Sequence, residues 1–276
     1  MDTTTNYEFI NTSPWVNRIA KLPFPLGTLI FLLTSKVARE VFKRIVVDRS
    51  TDTALHPIYD YDVNGSGYSV WDHRWQSSRA AQSLRFRFNW INDRLYDLLG
   101  QPTPNRHGRI QVVSLGSGTG RAFVETLKKI DLKDMPIMVN FVDIDERAIT
   151  RAYKLAHKSE LLKHINFINA TSTDALDRFG DGNVYLVEMV GIAEYVDDKW
   201  LKNEFRKISS VLQTGGYFIG AAISSDQQSD FSHRVLRWPT MTYRSEAKLS
   251  KLFDSAGFRS VNYQECGVFT AWIAQK

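Results

Sequence analysis

The chain alternates between short, nearly continuous apolar runs and longer stretches in which apolar residues recur every three or four positions. The first kind reads as strands buried on both faces, the second as amphipathic helices. Strand-like runs occupy Val112 to Leu115, Ile137 to Val142, His164 to Asn169, Val184 to Val190 and Gly215 to Ala221. Helical patterns lie between them, as in Trp200, Leu201, Phe205, Ile208 and Leu212. Strands separated by helices imply crossover connections, so an α/β fold with a mostly parallel sheet follows from the pattern. Nearer the amino terminus, residues 35 to 46 place Val37, Val41 and Ile45 on one helical stripe. Residues 78 to 99 do the same with Ala80, Leu84, Phe88, Ile91 and Leu95, and Gly100 and Pro102 stop that helix.

Between those two helices, His56 to Tyr68 reads as a turn-rich loop dense in aromatic rings, with Asn64-Gly65 as a turn signal and Trp71 and Trp75 close behind. It suits either a lid over the strand ends or ordinary core packing. Leu22 to Leu33 is the most apolar run, flanked by Arg18, Lys21, Lys36, Arg39, Lys43 and Arg44. It is far short of the ~20 residues that span a bilayer, and Pro23 and Pro25 break a continuous helix. A buried segment is therefore preferred over an anchor at a membrane surface.

The most informative chemistry follows the first of the core strands, where Leu115 leads into Gly116-Ser117-Gly118-Thr119-Gly120-Arg121. Glycines there permit a sharp strand-to-helix turn and let a ligand lie against the main chain. The next strand ends in Asp143-Ile144-Asp145, where an acid can accept from both hydroxyls of a ribose. Ligands of open parallel sheets bind at the carboxyl ends of strands, and the glycines, Asp143, Asp174 and Glu194 all fall at or just after such ends. A dinucleotide fingerprint would need a third glycine at position 121, which is Arg121. The observed G-x-G-x-G spacing resembles the first motif of class I S-adenosylmethionine-dependent methyltransferases.

That resemblance covers roughly residues 108 to 276 and implies a Rossmann-like, seven-stranded, mostly parallel sheet. Residues 259 to 264 and 268 to 274 look like the family's C-terminal antiparallel strand pair. Residues 1 to 105 are then expected to form a helical N-terminal cap, and 106 to 276 the cofactor-binding core. By resemblance Gly116, Gly118 and Gly120 admit the amino-acid end of S-adenosylmethionine, Asp143 or Asp145 meets the ribose, and Asp174 meets the adenine. Asp145 and Asp174 suit helix caps equally well. Glu194 and Tyr195 stand where related small-molecule enzymes present substrate-facing groups; the bland alternative is a surface acid and a core tyrosine. His233 lies in a segment, Ser224 to Tyr243, where the family often inserts substrate-recognition loops, and its imidazole could serve as a base. Arg234, Arg237 and Trp238 are further candidates for an acidic or aromatic substrate.

With 276 residues, 43% hydrophobic and 24% charged, the chain has an ordinary globular composition. Its lone cysteine, Cys266, excludes an internal disulfide, and residues 1 to 20 lack the pattern of a secretory signal, so a cytoplasmic setting is expected. The six histidines show no metal-ligand spacing, and no bound metal is expected. Net charge is +5, with Arg74, Arg79, Arg85, Arg87, Arg94, Arg106 and Arg109 contributing. These arginines are scattered as on a solvated face, so a small, apolar or aromatic substrate is favoured over nucleic acid. The expected reaction is in-line methyl transfer to that substrate. Aminopropyl or aminocarboxypropyl transfer, RNA methylation and a non-catalytic cofactor-binding module remain alternatives on the same fold.

Overall fold

The computed structural model describes residues 18–19, 21–23, 25–48, 51–62, 64–224, 235 and 238–276. The chain divides into two compact units, one made of Met1–Phe86, Asp226–Pro239 and Cys266–Val268, the other of Arg87–Ser225, Thr240–Glu265 and Phe269–Lys276. The division falls inside the helix Arg79–Gly100 rather than at the 105/106 boundary drawn from the sequence.

The larger unit is built on a seven-stranded sheet: β1 (Ile110–Leu115), β2 (Ile137–Asp143), β3 (Ile165–Asn169), β4 (Val184–Val190), β5 (Leu212–Ile223), β6 (Ser260–Cys266) and β7 (Phe269–Gln275). Their order is β3-β2-β1-β4-β5-β7-β6, with β1 to β5 parallel and β7 antiparallel to β5. This is the expected α/β architecture. The strands are apolar on both faces because each face has its own core. On one, Phe205 from the helix Asp198–Val211 and Phe253 from the helix Glu246–Ala256 pack with Phe218 and Trp272. On the other, Ile91, Leu95 and Leu99 pack with Phe123, Val139 and Phe141. Gly220 is required where β5 meets β7, since a Cβ there would lie 2.5 Å from the Trp272 ring.

The fifth strand starts earlier than its apolar run suggests. It begins at Leu212 and takes Gly215 and Gly216 within it, and the pairing with β4 shifts register between Val184 and Leu186. A Cβ on Gly216 would come within 3.0 Å of the Tyr185 carbonyl, so the glycine pair accommodates a bulge rather than a turn before the strand.

In the smaller unit, the apolar run forms the helix Leu26–Thr34, starting directly after Pro25. It is less buried than the sequence suggests: Phe31 packs edge-on against Trp75, whereas Leu26, Leu29 and Leu33 face outward, Leu33 at 78% exposure. The Val37-Val41-Ile45 stripe is buried as expected, although its helix, Lys36–Phe42, continues as a π-turn over Lys43–Val47. The aromatic loop contains more helix than its turn signals imply, in His56–Tyr59 and Val70–Gln76. Its rings pack on one another, with Tyr61 and Tyr68 edge to face and the Tyr61 hydroxyl 2.6 Å from His73 Nδ1. No helix among the described residues is long and apolar enough to cross a membrane.

Asp72 ties this unit together. One carboxylate oxygen accepts from the Ser35 hydroxyl and the Val37 amide, the other from the Ser69 amide and hydroxyl. Burial opposes its ionisation, but these donors win and hold the carboxyl below its usual range. Asp72→Ala is expected to destabilise the small unit by about 3 kcal/mol. Limited proteolysis should then cut before residue 87 at lower urea while the sheet unit resists.

Candidate functional site

The turn after β1 visits the left-handed region three times, at Gly116 (φ +62), Gly118 (φ +55) and Gly120 (φ +66). Space demands glycine as much as conformation does. A Cβ at 116 would lie 2.7 Å from the Ile192 side chain, and one at 120 would lie 2.2 Å from the Phe141 ring. The loop is fastened from the neighbouring strand: Asp143 Oδ2 accepts from the Gly118 amide at 2.8 Å, and Oδ1 accepts from the Asp145 amide at 2.9 Å. Asn169 at the end of β3 donates to the Asp143 and Ile144 carbonyls at 2.9 and 3.0 Å. One carboxylate thus sets the spacing of two strand ends.

The other acids expected near a cofactor have different local duties. Asp145 caps the helix Glu146–Lys158, accepting from the Arg147 amide, and pairs with the Arg147 guanidinium at 3.0 Å. Asp174 is not a cap. Thr171 is, and its hydroxyl accepts from the Asp174 amide while donating to Asp174 Oδ2 at 2.7 Å.

Beyond β4 the chain makes the 3-10 turn Ala193–Tyr195. The sequence alternatives are reversed here: Glu194 is the buried residue, 4% exposed, and Tyr195 is 42% exposed. Arg244, which the sequence did not single out, fixes the turn from inside. Its fully buried guanidinium donates to the carbonyls of Ala193 and Val196 and to Asp198, while the Thr242 amide donates to the Glu194 carbonyl at 2.7 Å. His233, Arg234 and Arg237 lie outside the described residues, and Trp238 packs in the small unit with the Val37 cluster.

A charged cluster that the sequence left unassigned sits behind Glu194. Arg87 is only 4% exposed, which overturns its place on a solvated face; its guanidinium lies 3.7 Å from Glu194 Oε1 and 4.2 Å over the Phe269 ring. Glu188, in the interior of β4, accepts from the Ser114 hydroxyl at 2.5 Å. Burial pushes its carboxyl up to about 7, against the pull of Ser114 and Arg87. Burial also raises Glu194, with Arg87 opposing. Glu194 Oε2 is buried with no hydrogen-bond partner among the described residues, as is the hydroxyl of Ser117 in the glycine turn. A helical pattern marked Arg87 as one residue of an amphipathic helix, but nothing in a single sequence shows which arginine of that helix turns inward.

The S-adenosylmethionine that the glycine spacing implies can be tested against this geometry. The residues fit: the turn has no room for a side chain at 116 or 120, an orphaned hydroxyl lies in it, and an anchored carboxylate stands at the adjoining strand end.

Glu188 gives the core a calculable pH dependence. Its carboxyl ionises near 4.5 ordinarily and near 7 when folded, so the native state binds the proton more tightly. That stabilisation is complete below about pH 4.5 and is lost as pH rises to about 7, by roughly 3 kcal/mol. Glu188→Gln removes the dependence. Urea titrations from pH 4.5 to 7.5 should show the variant gaining on the parent, and a constant difference would show a carboxyl that is already ionised.

Comparisons with known proteins agree with the fold. Residues 112–216 match the family described as Methyltransferase domain. No curated protein matches the sequence. Among solved structures, one described as a possible exported protein from Bordetella parapertussis is 17% identical with a TM-score of 0.71, over 95% of this chain and 92% of its own. An O-methyltransferase family protein from Burkholderia thailandensis is 16% identical with a TM-score of 0.52, over 74% and 60%. Geranyl diphosphate C-methyltransferase from Streptomyces coelicolor A3(2) is 15% identical with a TM-score of 0.51, over 77% and 84%. At these identities the likeness is one of fold. Taken with the glycine turn, the strand order and the matched residues, it is consistent with the fold of class I S-adenosylmethionine-dependent methyltransferases.

Proposed function

We propose that the protein methylates a small, apolar or aromatic molecule that carries an N–H or O–H nucleophile, using S-adenosylmethionine. The observation that carries this reading is the pairing, at the carboxyl ends of adjacent strands, of a glycine cradle fastened by Asp143 with a buried, unpartnered oxygen on Glu194. Structural neighbours crystallised with S-adenosylhomocysteine or sinefungin support the choice of cofactor.

When bound, S-adenosylmethionine supplies a methyl group already activated on a sulfonium. The chain's own work is then to position and to exclude water. Gly116, Gly118 and Gly120 let the ligand approach the backbone, and the Asp143 carboxylate stands at the strand end where the ribose hydroxyls are expected. Asp145, capping its helix, holds the Asp143 loop in shape through its amide. Asp174, locked to Thr171, borders the expected adenine position at the end of β3. Glu194 Oε2 accepts the hydrogen bond of the substrate's N–H or O–H and takes its proton as the methyl group is transferred. Burial suits it to that task by raising its proton affinity above that of an exposed carboxylate. Arg87 and Arg244 keep the side chain and its turn in place. Tyr195, exposed beside it, is available to the substrate's body. His233 remains a candidate second base, and a cytoplasmic setting belongs to the same reading.

Calorimetric titration tests the cofactor assignment. S-adenosylmethionine should bind, NADH should not, and Asp143→Ala should weaken binding at least tenfold. Binding of NADH instead would overturn the assignment. Once a substrate is found, Glu194→Gln should lower kcat by about 10²-fold or more while leaving cofactor affinity within twofold. Gly120→Ala should abolish cofactor binding, because its Cβ and the Phe141 ring cannot both be accommodated.

A further inference from the structure

The opposite edge of the sheet carries a second concavity. Around the amino ends of β1, β2, β3 and β4 lies a cleft of about 720 Å³, within the size range of small-ligand sites. The glycine turn and Asp143 lie at the carboxyl ends, so a ligand here would not compete for the cofactor's place.

Its floor is an amide ladder running across three strands. Asn140 Nδ2 donates to Gln111 Oε1 and the Val112 carbonyl, both at 3.0 Å, and Asn140 Oδ1 accepts from Asn166 Nδ2 at 3.1 Å. An amide at position 140 is unexpected on packing grounds. It is 3% exposed between Val139 and Phe141, in a strand whose other residues from Ile137 to Val142 are apolar. Burying an amide is tolerable only when it is bonded, and the ladder bonds it. Gln111 Nε2 has no hydrogen-bond partner among the described residues, which leaves donors available at the end of the ladder where Gln111 borders the cleft.

The rim is cationic. Arg109 and Arg178 are exposed on it, neither has a carboxylate partner among the described residues, and His107 stands beside them. Among the described residues, no aspartate or glutamate lines the cleft. Guanidinium groups match phosphate oxygens in planar, bidentate geometry, and amide donors can take further oxygens of the same group. Phe179, half-buried, adds an apolar wall for the rest of a ligand.

We propose that this cleft binds a small phosphorylated molecule, with the phosphate between Arg109 and Arg178 and the polar body on the Gln111-Asn140-Asn166 ladder. The site is separate from the methyl-transfer centre and does not depend on the substrate assigned there.

Calorimetry with inorganic pyrophosphate, on the full chain saturated with S-adenosylhomocysteine, tests it. Saturable one-site binding is expected. The double variant Arg109→Gln/Arg178→Gln should weaken it at least tenfold, and Asn140→Leu should weaken it without loss of S-adenosylhomocysteine affinity. Two other exposed cations, changed as Lys128→Gln/Lys129→Gln, should move it less than twofold. Absence of saturable binding, or equal weakening in the lysine control, would overturn the site in favour of diffuse surface charge. A single-stranded RNA 12-mer binding more than tenfold tighter than pyrophosphate, and lost in the arginine variant, would overturn it in favour of a nucleic-acid face.

Discussion

The chain must leave β1 through a turn that three times adopts a conformation L side chains rarely occupy, and a single carboxylate from the next strand holds that turn closed. Asp143 is bonded to the Gly118 amide on one oxygen and to the Asp145 amide on the other, so it sets the geometry of two loops together. Asn169 and Ala170, at the end of β3, bond the Asp143 carbonyl and extend the same register to a third strand end. The carboxyl edge of the sheet is therefore a connected hydrogen-bonded rim rather than a set of independent loops. Gly120 closes it because the Phe141 ring occupies the volume of any larger side chain.

Next to that rim the protein tolerates a group of buried charges. Glu188, Glu194 and Arg87 lie together with little solvent, and Arg244 is fully enclosed beneath the 3-10 turn. Such groups rarely increase stability relative to apolar residues of similar volume, since desolvation offsets their mutual attraction. Their value lies in fixing positions. Arg244 bonds the carbonyls on both sides of Glu194, which orients a carboxylate that retains an unpartnered oxygen. The smaller unit solves a related problem differently: Asp72 is buried too, yet four donors satisfy it and its carboxyl stays ionised.

Much of the fold was legible from residue pattern. The apolar runs at Val112, Ile137, Val184 and near Gly215 each correspond to a strand, since a strand buried on both faces needs no partner information to betray itself. The glycine spacing and the acid after Ile137 to Val142 were legible for a related reason: a tight turn and a ligand-facing strand end each restrict residue type locally. Where several local structures satisfy the same pattern, the reading lost precision. Gly215-Gly216 suits either a turn or a bulge, and Asp174 suits either a cap or the third residue of a helix whose cap is Thr171.

The sequence by itself determined the α/β class, the strand sequence of the core and the place where the backbone turns on glycine, because each depends on neighbours along the chain. Tertiary structure decided which polar residues turn inward. Arg87 lies on a helix with other arginines, Arg244 follows a strand by many residues, and Glu194 sits in a polar stretch, so nothing local distinguishes them from solvated charges. Their burial arises when elements distant in sequence meet, as Ala193 and Val196 meet Arg244, and an interaction of that range has no one-dimensional signature. The same holds for the amide ladder, in which Gln111, Asn140 and Asn166 become neighbours only through the parallel register of β1, β2 and β3.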